Sequence, residues 1–293
     1  MKIAICITGQ ARYHWQQIWT ECNFLNINNS DLQVDFFVHT WTTEYEDAGQ
    51  VDNNYLIPIN DLDKLVKDIK QIFNPIRLVV DDYSVSRNEL LGPNMEPQLY
   101  SFFQTLEMIH ESEIEYDFIL KARFDIFILP GDPEGIYIGK VENKDKQLYE
   151  KTFYECLKYF YSMPDKNILH IEGGFLDSPF RMHVSDKIFL IKGNWIFNSL
   201  KYNFFELWET EIYPMDEFPL IEKPDINSAH VVWPQFFEVL SNYADIKICI
   251  TSRLQSFIIR KGRYDPTHSF KQLAKYPQFP VKKTNNKYDK NCS

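Results

Sequence analysis

Short apolar runs alternate along this chain with stretches whose apolar positions recur every three or four residues, the pattern of strands followed by helices. The runs are Lys2–Thr8, Val34–His39, Ile76–Val80, Asp117–Leu120 continuing through Phe124–Leu129, Ile168–Ile171, Lys187–Ile191 and Ile246–Ile250. Between them, Trp15, Ile18, Trp19, Cys22 and Leu25 share one helical face. Leu62, Leu65, Val66, Ile69 and Phe73 share another behind a capping Asp61, and Leu99, Phe102, Phe103, Leu106 and Ile109 form a third stripe. Two further stripes run from Ile196 to Trp208 and from Val232 to Tyr243. This alternation predicts an α/β fold with a mixed, mostly parallel, Rossmann-like sheet flanked by helices.

The pattern breaks at Gly131-Asp132-Pro133-Glu134-Gly135. The chain therefore divides into a regular βαβ half over residues 1–130, a less regular and aromatic-rich half over 131–260, and a tail over 261–293. One continuous domain is the alternative. With 293 residues and 44% hydrophobic content a sizeable core is expected. Aromatic residues make up 16% of the chain. They supply either a ring-rich core or a ring-lined cleft suited to the apolar faces of sugars.

The net charge of −10 argues against a nucleic-acid partner. From Arg260 onward, however, nine Lys/Arg face two Asp/Glu. A basic tail on an acidic body is suited to fold back on it, to touch a diphosphate, or to make peripheral contact with an anionic membrane surface. Five scattered cysteines without CxxC spacing predict a reducing, cytoplasmic setting. No apolar stretch is long enough to predict a transmembrane segment.

In an open α/β sheet, ligands lie outside the carboxyl ends of the strands. That rule singles out Gly9, Gln10 and Arg12 after the first run and His39, Thr40 and Trp41 at the end of the second. Gly9 lets backbone approach a ligand, Gln10 is able to read a base edge, and Arg12 is able to pair with phosphate. No GxGxxG and no P-loop motif is present. Gln98 and Ser101 open the third helix near the same edge. Most informative is Tyr116-Asp117-Phe-Ile-Leu-Lys-Ala-Arg123-Phe124-Asp125-Ile-Phe127. On an extended strand, side chains two apart share a face about 6–7 Å apart. Arg123 and Asp125 would then present a cation for a diphosphate and a carboxylate for hydroxyls or a divalent ion. The rival reading is an Arg–Asp ion pair closing the strand end. Asp186 at the start of a later strand, or Asp177 in a Gly-rich loop after Glu172, is a candidate general base. His230 is either a further metal ligand or a loop histidine.

Taken in order, KIAICITGQAR, VDFFVHTW, QLYSFF, YDFILKARFDIFI and SDKIFLIKG resemble a group of glycosyltransferase-like proteins from polysaccharide and glycan gene clusters of bacteria and large viruses. The resemblance spans roughly residues 1–250. It implies a GT-A-like fold, with 1–130 binding a nucleotide sugar and 131–260 binding the acceptor. It also implies that Gly9, Gln10 and Arg12 line the donor, that Arg123 and Asp125 occupy the metal-and-diphosphate position, and that Asp186 faces the acceptor. Most GT-A enzymes carry Asp-x-Asp where this chain has Arg123-Phe124-Asp125. A manganese or magnesium ion would rest on Asp125, with His230 as a further ligand; otherwise Arg123 and a tail residue such as Lys261 or Arg263 would do its electrostatic work.

The expected activity is an inverting transfer of a sugar from a nucleotide-diphosphate donor to a hydroxyl of a glycan or polysaccharide. A sugar-phosphate nucleotidyltransferase and a catalytically silent glycan-binding protein on the same fold are the alternatives.

Overall fold

The computed structural model describes residues 1–11, 15–45, 56–82, 97–130, 152–173, 184–197, 246–251 and 254–258. Seven strands form the main sheet: β1 (Lys2–Thr8), β2 (Gln33–Trp41), β5 (Arg77–Asp81), β6 (Phe118–Arg123), β8 (Ile168–Gly173), β9 (Val184–Lys192) and β10 (Lys247–Thr251). Their spatial order is β10-β8-β9-β6-β1-β2-β5. Six run parallel and β9 runs antiparallel between β6 and β8. From the β5 edge the first four sheet strands stand in the order 3-2-1-4, as in a Rossmann sheet. The expected α/β class with a mixed, mostly parallel sheet is therefore observed. Strands from both sides of residues 131–135 share this one sheet.

Two small ribbons lie beside it. β3 (Thr43–Tyr45) pairs with β4 (Leu56–Pro58), and β7 (Ile126–Pro130) pairs with β11 (Leu254–Ile258), both antiparallel. The helices are α1 (Trp15–Ile18) and α2 (Phe24–Ile27), joined by a π-helical turn over Trp19–Asn23, then α3 (Leu62–Phe73), α4 (Pro97–Glu111) and α5 (Phe153–Ser162). Asp61 caps α3 as expected, its carboxylate accepting from the Lys64 N–H at 2.8 Å. Ile196 lies in a short 3₁₀ turn over residues 195–197. The rest of its predicted stripe, and the stripe from Val232 to Tyr243, fall outside the described residues.

Central parallel strands are covered on both faces, which explains the near-continuous apolar run of β1. Ile3, Ile5 and Ile7 join one core with Phe36 and Val38 of β2 and Phe118, Leu120 and Ala122 of β6. Against that face sit Trp15, Trp19, Phe24, Phe73 and Phe124, in edge-to-face and stacked contacts at centroid distances of 5.1–6.2 Å. Much of the aromatic excess thus builds core. Truncating Trp19 to alanine is expected to cost about 3–5 kcal/mol. The alternating residues Cys6 and Thr8 of β1, Phe37 and His39 of β2, and Lys121 and Arg123 of β6 occupy the opposite face. There Cys6 bonds Thr105 and His39 meets the Tyr100 ring, both on α4.

One expectation is corrected. The strand does not run on through Phe124–Leu129. It ends at Arg123, turns at Phe124 and Asp125, and β7 leaves the main sheet to pair with β11.

Candidate functional site

β1 lies between β2 and β6, so the strand order reverses there, the position at which open α/β sheets generally hold a ligand crevice outside the carboxyl ends. Register brings the expected residues to that position. Thr8 is level with His39 on one side and with Arg123 on the other. Gly9 follows with φ +93, a conformation that side-chain-bearing residues rarely adopt. A Cβ built on it meets nothing within 4 Å, so its surroundings are open. Gln10 comes next, while Arg12 lies outside the described residues.

At the β2–β5 corner, the side chains form a bonded cluster. His39 Nε2 lies 3.0 Å from Asp81 Oδ2, and the Tyr100 hydroxyl donates to the same oxygen at 3.0 Å. Trp41 stacks on Tyr100 at 5.5 Å and meets the His39 ring edge-on at 4.9 Å. His39 is wholly buried, and burial pushes its pKa below the ordinary 6.5 against the opposing pull of Asp81. A neutral ring then donates Nε2–H to Asp81. That hydrogen bond, foremost, holds the Asp81 carboxyl below its usual range, against partial burial. Both bonds fall on Oδ2, and the Asp81 side chain keeps 27% exposure.

His39 Nδ1, Thr40 Oγ1 and Ser101 Oγ are buried without a hydrogen-bond partner among the described residues. A buried orphan of this kind costs about 1–3 kcal/mol. Three on adjoining elements mark this corner as locally frustrated, as sites often are.

Arg123 and Asp125 meet beside Thr8, but not as expected. The turn at Phe124 and Asp125 replaces an extended strand, so the side chains close on each other instead of standing 6–7 Å apart. Arg123 Nε donates to Asp125 Oδ1 at 2.8 Å and one terminal nitrogen donates to Oδ2 at 2.8 Å, a two-pronged pairing. Arg123 is 9% exposed and Asp125 3%. The rival reading, an ion pair closing the strand end, describes this arrangement. A divalent ion does not fit on Asp125 here, because a guanidinium already contacts both carboxylate oxygens and would repel it. No cluster of three or more metal-ligating side chains occurs among the described residues.

β9 runs antiparallel to β6, so its start, with Asp186, reaches the edge where β6 ends. The Asp186 side chain, Asp177, His230 and the basic tail lie outside the described residues. Gln98 and Ser101 stand in the first turn and a half of α4, as expected. Four residues are added by the structure: Asp81, Tyr100, Trp19 and Asn23. The first sits at the carboxyl end of a predicted strand, so the edge rule that selected His39 also points to it.

No family model matches the chain, and no curated protein sequence does. Among solved structures it is similar to the glycosyltransferase GlyE of Streptococcus pneumoniae TIGR4, with 12% identity and a TM-score of 0.37 over 85% of this chain and 45% of that one. The chain thus spans less than half of GlyE. It is also similar to a nucleoside-diphosphate-sugar pyrophosphorylase from Vibrio cholerae RC9, at 10% identity and TM-score 0.38, covering 92% of this chain and 99% of that one. A third is the galactosyltransferase LgtC in complex with donor and acceptor sugar analogues, at 10% identity and TM-score 0.34, covering 71% and 63%. Scores this low transfer neither a residue nor an activity. No described helix is long and apolar enough to cross a membrane.

Proposed function

We propose that the chain is a nucleotide-sugar-dependent glycosyltransferase that moves a sugar from a nucleotide-diphosphate donor to a glycan hydroxyl. The observation that carries this reading is the convergence, at one reversal of strand order, of a positive-φ glycine with open space around it and a guanidinium on the next strand. Backbone approaches a diphosphate closely at Gly9, and Arg123 supplies a planar fork matched to phosphate oxygens. One row deeper on the same face, fully buried Lys121 lies 5.2 Å from the Phe189 ring and adds to the positive potential behind the leaving group. The ordered motifs that resemble glycan-cluster glycosyltransferases support the same reading.

In this proposal the donor lies across the ends of β1 and β6, with its nucleoside toward the Asp81–His39–Tyr100 corner. Gln10, Thr40, Trp41, Gln98 and Ser101 shape that end. Asp186, or Asp177, deprotonates the acceptor hydroxyl for attack at the anomeric carbon, and one base acting alone gives inversion. Arg123 stabilises the departing diphosphate and does so without an ion on Asp125.

Thermal unfolding with UDP, GDP, CDP and ADP, followed by hydrolysis of the matching nucleotide sugars, tests the reading. One diphosphate at a hundred times its dissociation constant adds about 2.7 kcal/mol. Slow release of that diphosphate from a nucleotide sugar then identifies a transferase. Consumption of a nucleoside triphosphate would identify a nucleotidyltransferase instead. Stabilisation by none of the four, with no hydrolysis, would overturn the proposal.

A further inference from the structure

The turn that carries Asp125 is held from behind. Trp19 Nε1 donates to the Phe124 carbonyl at 3.1 Å. The Asn23 amide makes two bonds: Nδ2 donates to the Ile126 carbonyl at 2.9 Å, and Oδ1 accepts from the Ile128 N–H at 2.9 Å. Trp19 and Asn23 are both fully buried. They stand four positions apart on a π-helical turn, so both point from one side of it. β7 has left the main sheet at this point, and its Ile126 and Ile128 backbone groups would otherwise lack that sheet's ladder. Asn23 takes the place of a neighbouring strand.

We propose that the π turn Trp19–Asn23 is a positioning device that fixes the Arg123–Asp125 pair at the carboxyl end of β6. The inference rests on the proposed role of that pair, and it goes further by naming residues that touch neither donor nor acceptor. Two considerations favour it over plain packing. Hydrophobic contacts alone would leave the Phe124–Asp125 turn free to shift, whereas three directional bonds across 103–105 residues of chain determine its place. Single π turns are also uncommon, and they concentrate where a helix must present side chains to a site.

Asn23→Leu keeps the side-chain size and deletes both amide bonds. Its expected effect is a fall of about tenfold to a hundredfold in donor-turnover kcat, the scale of a 1 Å misplacement, with a much smaller change in KM. The buried, carboxylate-bonded Arg123 Nε–H is expected to exchange slowly with solvent in the wild-type protein and markedly faster in Asn23→Leu, as read by NMR. Trp19→Phe, which retains a ring and loses one bond, shifts both readouts in the same direction by less and serves if Asn23→Leu fails to fold. Ile69→Ala, a cavity in α3, lowers the melting temperature and moves neither readout.

An unchanged Nε–H exchange rate and kcat in folded Asn23→Leu or Trp19→Phe would overturn the inference and leave a structural role only. Failure of the functional reading looks different. The wild-type protein would then turn over no nucleotide sugar, while the Nε–H exchange would still respond to Asn23→Leu.

Discussion

Asp125→Asn removes one charge from a pair that the fold has nearly closed off from water. Side-chain exposures of 11% for Arg123 and 4% for Asp125 mean that solvent screens the pair little. Losing one member of such a pair costs about 3–5 kcal/mol, because the other charge stays buried and loses its bonded counter-ion. Asparagine keeps one oxygen acceptor for the guanidinium, which places the expected cost near the lower end of that range. For a chain of 293 residues, about 2.1 cal/mol/K per residue gives an unfolding entropy near 0.6 kcal/mol/K, so a loss near the lower end lowers Tm by about 5 °C. The paired replacement Arg123→Met with Asp125→Leu removes both charges together and recovers most of that loss. Urea unfolding of wild type, Arg123→Met, Asp125→Leu and the double replacement closes the cycle and supplies the measurement, with m required to stay constant. Donor turnover, measured alongside, is expected to vanish in every variant that lacks Asp125. If the single and double variants unfold within about 0.5 kcal/mol of the sum of the separate effects, the charges are not coupled. The buried-pair reasoning then fails.

The other expectations concern the neighbouring positions. Gly9→Ala forces a side chain into φ +93 and costs about 1–3 kcal/mol by thermal melt, yet it folds because its Cβ meets no atom; the bulkier Gly9→Val is expected to lose stabilisation by the nucleoside diphosphate as well. His39 has a lowered pKa, so below pH 6.5 the unfolded chain takes up a proton that the native chain refuses. Stability therefore falls as pH drops through that window, and urea midpoints of His39→Gln should fall less steeply than those of wild type. Chelation with EDTA is expected to leave donor turnover within twofold if Arg123 acts without an ion; loss of turnover restored by Mn or Mg would refute that. Arg123→Lys keeps the charge but not the planar fork, and calorimetry should show weaker nucleoside-diphosphate binding.

The main sheet was largely legible because its signal is local. The run Lys2–Thr8 reproduces β1 residue for residue, and Asp61 reads as a cap from its place before an apolar periodic stretch. Helix α5 was passed over although Thr152-Phe-Tyr-Glu155 spells a capping box, whose reciprocal bonds the structure contains. The site was legible in part. The edge rule picked out Gly9 and His39, and the Arg-x-Asp at a strand end picked out Arg123; the structure brings all three to one rim because a parallel sheet delivers its carboxyl ends there. It stopped short of Asp81 by ending that strand one residue early, at Val80. Asn23 and Trp19 left no readable mark, since their role depends on a turn more than a hundred residues away. The strand break after Arg123 was hidden for a related reason. Ile126, Phe127, Ile128 and Leu129 carry strong strand preference, so the run reads as continuous. Only the partner, β11, reveals that β7 belongs to another sheet.

That break changes what Arg-x-Asp means. On a continuous strand the two charges would stand apart, each needing water or a ligand. On a turn they neutralise each other, so the fold avoids most of the cost of burying an unpaired ion. The guanidinium fork that now grips a carboxylate has the same geometry that grips phosphate oxygens. In the proposed transferase, a donor diphosphate would therefore take the place of Asp125 with little reorganisation of Arg123. In the proposed transferase, a sugar hydroxyl beside the diphosphate would then be able to donate to the Asp125 carboxylate. Coupled in this way, phosphate capture and hydroxyl recognition would depend on each other. The coupling requires the turn to stay in place while partners change, which is the service that three bonds from Trp19 and Asn23 are arranged to give.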